Sequence, residues 1–139
     1  MKSLQEFVDA HFGSKVDFDG AYGAQCVDLV RQCWEEVWDV PQPPGVVGAT
    51  DFFTKHEERP LQKQYMDRHN YAAGAVPPAG AAVVFGPTPV NKYGHIGICI
   101  NATPKAVQLF EQDGFRQDGA KITYRNYDNV LGWLTKKEV

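Results

Sequence analysis

Apolar positions in the first forty residues recur at helical spacing. Leu4, Phe7, Val8 and Phe12 mark a short opening helix over residues 2–12. Val27, Val30, Trp34, Val37 and Trp38 fall on one stripe, which predicts a second helix from Cys26 to about Trp38. The prolines and glycines of "VPQPPGVVG" then break it. "TDFFTKHEE" predicts a short helix with Thr50 as its cap, and "HNYAAGAVPPAG" reads as loop. Beyond residue 80 the pattern changes to short apolar runs bounded by turn residues. Strands are predicted at 81–85, 95–100, 106–111, 121–125 and 130–134. This spacing suits an antiparallel sheet, and helices followed by sheet make an α+β fold.

Composition narrows the class. With 139 residues, 43% of them hydrophobic, the chain is expected to be one domain, 1–139, with a real core. A net charge of −3 argues against a general nucleic-acid binder and offers no attraction to an anionic membrane. No apolar run approaches a membrane span. The start, "MKSLQEFVDAHFG", is amphipathic and lacks the apolar centre of a signal peptide, so synthesis in the cytoplasm is expected. Three cysteines cannot all pair within the chain, so at least one thiol is free. No close Cys-x-x-Cys pair supports a zinc site.

The candidate chemistry begins in "DFDGAYGAQCVD", residues 17–28. Asp17, Asp19 and Asp28 stand at positions 1, 3 and 12, as carboxylates do in an EF-hand-type calcium loop. Hard cations need oxygen ligands, and a short acidic loop gathers several. Position 5 is Ala21, which offers only its carbonyl, and position 6 is Tyr22 rather than glycine. Position 12 is the shorter aspartate, although Gly20 and Gly23 give the loop turning freedom. Spacing alone leaves two readings open: a calcium loop, or a solvated acidic turn whose Asp28 favours the next helix N-terminus.

Cys26 begins the second helix, where the dipole and free N–H groups favour a thiolate. Three nearby carboxylates oppose that charge, and a bound cation would cancel them. Cys33, inside the helix, and Cys99, inside an apolar strand, read as small hydrophobes. Of four histidines, His11, His56 and His69 lie in polar stretches and are expected at the surface. His95 stands in "YGHIGICI". Strand alternation puts His95, Gly97 and Cys99 on one face and Ile96, Ile98 and Ile100 on the other. Glycine beside the imidazole leaves room for another backbone or a substrate. In "LFEQD", Glu111 ends the adjoining strand and can orient the imidazole, with Asp113 as a second candidate. Gln25 can donate its amide to an oxyanion beside the Cys26 N–H.

In this order, these segments resemble the CHAP domain, the cysteine- and histidine-dependent amidohydrolase/peptidase of phage endolysins and bacterial wall hydrolases. The resemblance covers nearly the whole chain. "DFDGAYGAQCVDL" is similar to the nucleophile segment, including its calcium-binding variant. "PPAGAAVVF" resembles the Pro-x-Gly-Asp strand, with Ala81 in place of aspartate. "GHIGICI" resembles the histidine strand, "LFEQD" the Glu-Gln-Asn segment with Asp113 for asparagine, and "VLGWL" the closing strand.

The resemblance implies a papain-like fold, with N-terminal helices on a C-terminal antiparallel sheet. It implies Cys26 as nucleophile, His95 as general base, Glu111 as orienter, Asp113 at the auxiliary position and Gln25 at the oxyanion hole. Calcium would take the side chains of Asp17, Asp19 and Asp28 and the carbonyls of Ala21 and Gly23. The implied activity is peptidoglycan amidase or endopeptidase, in an open polar groove with Tyr22, Tyr93 or Trp133 as walls. The expected partner is bacterial peptidoglycan, met by a monomer alone or beside a separate wall-binding domain. Two rivals remain. NlpC-type wall peptidases share the Cys-then-His order, but usually carry aspartate where this chain has Gln25. A non-catalytic calcium-dependent wall-binding or phage structural module predicts an unreactive Cys26.

Overall fold

The opening helix forms because both of its ends have partners. The computed structural model, which describes residues 1–138, places α1 at Leu4–His11. The Ser3 hydroxyl accepts from the Glu6 N–H at 3.1 Å, and the Glu6 carboxylate accepts from the Ser3 N–H at 3.0 Å. This reciprocal cap frees the helix to bury Phe7 and Val8. Helix α2 spans Cys26–Cys33 and widens into a π turn at Trp34–Trp38. It ends at Asp39, whose φ of 54° is left-handed. Trp34 is fully buried and meets Phe52 edge to face at 5.0 Å.

Two further helices follow, α3 at Asp51–Thr54 and α4 at Pro60–Tyr65, with a 3₁₀ turn at His56–Glu58 between them. Thr50 does not cap α3 as expected. Its hydroxyl instead donates to the carbonyls of Phe85 and Tyr93, at 3.1 and 3.3 Å. That contact needs Gly94, because a Cβ there would overlap the Thr50 hydroxyl. His56 is likewise not a surface residue. It is 3% exposed, and the Gln62 amide donates to its Nδ1 at 2.8 Å. His11 is half-buried against Glu36 at 2.9 Å, while His69 is exposed as expected.

Six strands form one antiparallel sheet: β1 Met66–Asn70, β2 Ala82–Phe85, β3 His95–Ala102, β4 Val107–Glu111, β5 Lys121–Arg125 and β6 Val130–Lys136. Their order is β1-β6-β2-β3-β4-β5. Five of them are the predicted runs. The sixth, β1, was not, because "MDRHN" is polar and its last two residues are exposed at the sheet edge. The fold is therefore α+β, with the helices on one face of the sheet.

The two faces carry separate cores. Ile96, Ile98 and Phe110 pack against Leu29, Val30 and Trp34 on the helical side. Val83, Leu109, Cys99 and Trp133 fill the other side, where Tyr71 covers them and stacks on Tyr127 at 5.2 Å. The alternation read in β3 is thus realised. Trp133, expected as a groove wall, is only 5% exposed and belongs to this second core. All three thiols are free. Burial raises the pKa of Cys33 and pushes Cys99 up to about 11, so both behave as hydrophobes.

Candidate active site

The start of α2 is fixed by backbone bonds. The Asp28 carboxylate accepts from the Gln25 N–H at 2.9 Å, and the Asp28 N–H donates to the Gln25 carbonyl at 3.1 Å. Cys26 follows as the first helical residue, half-buried, on the wall of a cavity of about 590 Å³. His95, the first residue of β3, lines the same cavity.

His95 Nε2 lies 2.5 Å from Glu111 Oε2. The register explains why. Ile98 pairs with Phe110, so Glu111 stands across from Gly97 on the adjoining strand. A Cβ on Gly97 would sit 3.2 Å from the Glu111 Cβ and 3.4 Å from its Oε2. The space left by this glycine is taken by Glu111, not by a backbone or a substrate.

Glu111 is 2% exposed and fully partnered. Thr123 Oγ1 donates to Oε1 at 2.6 Å, and Arg125 Nε approaches both oxygens at 3.0 and 3.1 Å. Burial alone would raise this carboxyl. The bonds from His95, Arg125 and Thr123 overcome it and hold the pKa at about 2. For His95, burial works against the charged form. Hydrogen bonding and charge from Cys26 and Glu111 outweigh that and push the imidazole up to about 9. The site thus favours the charged form of the imidazole beside the Glu111 carboxylate.

Sequence reading missed Thr123 and Arg125. The available signal was alternation in "KITYR", which puts Lys121, Thr123 and Arg125 on one face of β5. Arg125 also lies 5.3 Å over the Phe85 ring, which in turn stands 5.8 Å from the His95 ring.

Asp113 is not brought to the imidazole. Its carboxylate accepts from the N–H groups of Phe115 and Arg116, at 2.8 and 3.3 Å, and shapes the cavity rim. The neighbouring Gln112 is the residue that matters structurally, and it was also missed. It is 1% exposed. Its amide donates to the carbonyls of Val16 and Gln25, both at 2.9 Å, and its oxygen accepts from the Val16 N–H at 2.6 Å. One side chain therefore ties the strand carrying Glu111 to the loop and helix carrying Cys26. Gln117 acts similarly, exchanging hydrogen bonds with both backbone groups of Ala24 at 3.0 Å. Gln25 lines the cavity beside Cys26, as do the partly or largely exposed Tyr22, Tyr93 and Phe115.

The acidic loop gathers as its spacing suggested. Carboxylate oxygens of Asp17, Asp19 and Asp28 all lie within 4.8 Å of one another. Asp28 is fully buried and its Oδ1 has no hydrogen-bond partner. Burial first, then the charges of Asp19 and Asp17, push its carboxyl up to about 6, against the opposing bond from Gln25. Among the described residues the carbonyls of Ala21 and Gly23 accept no hydrogen bond. A buried orphan oxygen beside two exposed carboxylates makes an oxygen donor set that fits a hard cation.

A family model described as the CHAP domain matches residues 15–113, which include Cys26, His95 and Glu111. The fold is similar to that of the endolysin LysIME-EF1, with a TM-score of 0.75 and 23% identity over 97% of this chain and 64% of that one. It is also similar to Ly7917, with a TM-score of 0.63 and 20% identity over 97% of this chain and 62% of that one. Ly7917 solved with the hydrolyzing product of MDP gives a TM-score of 0.61 and 17% identity, over 94% and 60% of the two chains. At these identities the likeness is one of fold. The chain spans about three-fifths of the length of these neighbours.

Proposed function

Because the chain belongs to the CHAP domain family, we propose that it hydrolyses an amide bond of bacterial peptidoglycan, with Cys26 as nucleophile. The observation that carries this reading is the cavity shared by Cys26 and His95, with His95 locked to a buried, fully partnered Glu111. With Nε2 committed to Glu111, Nδ1 is the atom that takes the Cys26 proton. The thiolate attacks the carbonyl carbon, and the developing oxyanion is received by the Cys26 N–H and the Gln25 amide. The imidazolium then gives its proton to the leaving amine. Water, deprotonated by His95, attacks the thioester carbonyl and releases the acid and the thiol. Glu111 stays ionised throughout and stabilises the charged imidazole.

The acidic loop is read as a calcium site held by Asp17, Asp19 and Asp28 with the carbonyls of Ala21 and Gly23. The orphaned Asp28 oxygen supports this. When bound, calcium would supply positive charge that steadies the loop entering α2. The exposed aromatics at the rim, Tyr22 and Phe115, suit an open groove for a polymeric substrate.

The test uses purified cell walls. Cys26→Ala should abolish release of new amines while melting at an unchanged temperature, and Cys33→Ser should stay active. Mass spectrometry of the released fragments distinguishes amidase from endopeptidase cleavage. Full activity in Cys26→Ala would overturn Cys26 as nucleophile, and an unaltered chain that binds walls but releases no amines would leave a binding module.

A further inference from the structure

The cavity holds one permanently charged cation, and it has no acid partner. Arg31 lies on α2, five positions beyond Cys26, and lines the cavity. Its Nε donates to Gln42 Oε1 at 3.2 Å, and the Gln42 amide donates back to the Arg31 carbonyl at 2.8 Å. Its guanidinium carbon sits 5.0 Å from the centre of the Phe18 ring. These contacts use Nε and one face of the plane. Among the described residues both terminal nitrogens make no hydrogen bond or ion pair. Nη1 approaches Gly45, whose backbone also lines the cavity.

This arrangement leaves both terminal nitrogens free to meet a ligand. A half-buried guanidinium with unused donors, held by a neighbouring amide, is set for a planar bidentate acceptor. The rest of the lining favours no anion. Asp19 and Asp113 are its other charged groups besides His95, and the chain carries −3 overall. Arg59 stands close enough to Arg31 for their charges to interact, and its guanidinium is held by the Pro44 carbonyl. Among the described residues, Arg31 is therefore the cation lining the cavity that lacks a carboxylate partner, whereas His95 is paired with Glu111.

We infer that Arg31 binds a carboxylate of the substrate flanking the amide that Cys26 attacks, and so selects acidic peptide stems. The inference rests on the proposed amide hydrolysis and names the substrate class of that same cavity. The bidentate pair forms on binding, with no covalent change.

The probes are wall fragments with free stem carboxylates, and the same fragments after chemical conversion of those carboxylates to amides. The wild-type chain should show a kcat/KM higher by roughly tenfold to a hundredfold on the free acid, the range of a charge-assisted bond. Arg31→Met should lose that preference, with KM rising much more on the free acid than on the amidated fragment. Arg31→Lys should keep part of the preference, since it retains charge without the fork. Equal losses on both fragments would show Arg31 to be merely structural and overturn the inference, as would an unchanged preference in Arg31→Met. Calorimetric binding of both fragments to Cys26→Ala, with and without Arg31→Met, reads the same contrast without turnover. A wild-type chain that binds the acid selectively but cleaves nothing would refute hydrolysis while supporting the Arg31 contact. Equal binding of both fragments would refute the contact alone.

Discussion

Replacing Glu111 by glutamine tests the electrostatics of the site most directly. The side chain keeps its shape but loses its charge, and its new N–H₂ must face a donor on either His95 or Arg125. The structure sets the magnitude. Glu111 falls from an ordinary 4.5 to about 2. That is roughly 2.5 units, or about 3 kcal/mol of folding stability. Because Arg125 is 43% exposed, its share is screened, and about 2–3 kcal/mol is expected at pH 6. A depressed carboxyl stabilises above its unfolded value of 4.5, and the effect fades as pH falls through 2. A raised imidazole stabilises below 6.5, and the effect fades as pH rises through 9. The two shifts describe one ion pair and are counted once. The cost of Glu111→Gln should therefore peak between pH 4.5 and 6.5. About half should be gone by pH 3, with part retained at high pH through Arg125. Urea unfolding of both chains across this range measures it. Turnover should fall by on the order of a hundredfold or more, because the imidazolium loses its partner. A stability cost that stayed constant from pH 6 to pH 3 would refute the reasoning and assign the loss to packing.

Other outcomes follow from the geometry. Gln112→Leu strands the N–H and carbonyl of Val16 and removes one of two donors to the Gln25 carbonyl, so about 2–4 kcal/mol of stability and most activity should be lost; thermal melting and wall hydrolysis check this. Calcium should raise the melting temperature and activity of the chelated chain, and magnesium should substitute poorly. Asp28 rises from 3.8 to about 6, so the calcium-free chain should lose up to about 3 kcal/mol as pH increases through that interval. Asp28→Asn should remove that loss and also the response to calcium, and a chelated chain that melts like the calcium-loaded one would exclude the site.

Most of the sheet and the helix that opens with Cys26 were legible because their apolar residues repeat with a clear period. Val30 and Trp34 on α2, and Ile96 and Ile98 on β3, bury as that period requires. Polar elements were not legible. Helix α4 buries Gln62 and β1 buries Met66, and neither leaves a periodic trace. Buried His56 escaped for a related reason, since a polar neighbourhood in sequence says nothing of the Gln62 amide that satisfies its ring. At the site, Cys26, His95 and Glu111 converge as their residue types suggested. The side chains that hold them, Gln112, Thr123 and Arg125, act across strand pairs and a loop. Their roles depend on register, which the chain alone does not display. Asp113 shows the converse: the right residue type, two positions from Glu111, is spent on its own turn.

The strand order has a consequence for how the molecule comes into being. An interior strand of the sheet is the last of the six to be made, because β6 inserts between β1 and β2, which do not pair with each other. During synthesis the β2–β5 meander can assemble while β1 waits for residues that have yet to leave the ribosome. Closing that gap brings together segments some sixty positions apart, such as His69 and Trp133, which makes it a slow, entropically costly step. Until then Trp133 and the back of β2 stay wet, and the nascent chain exposes an unpaired edge on each side of a missing strand. A chaperone or a neighbouring nascent chain that occupies the gap competes with β6 itself. Yield of the folded protein should therefore depend more on Val130–Lys136 than on any part of the cavity beside Cys26.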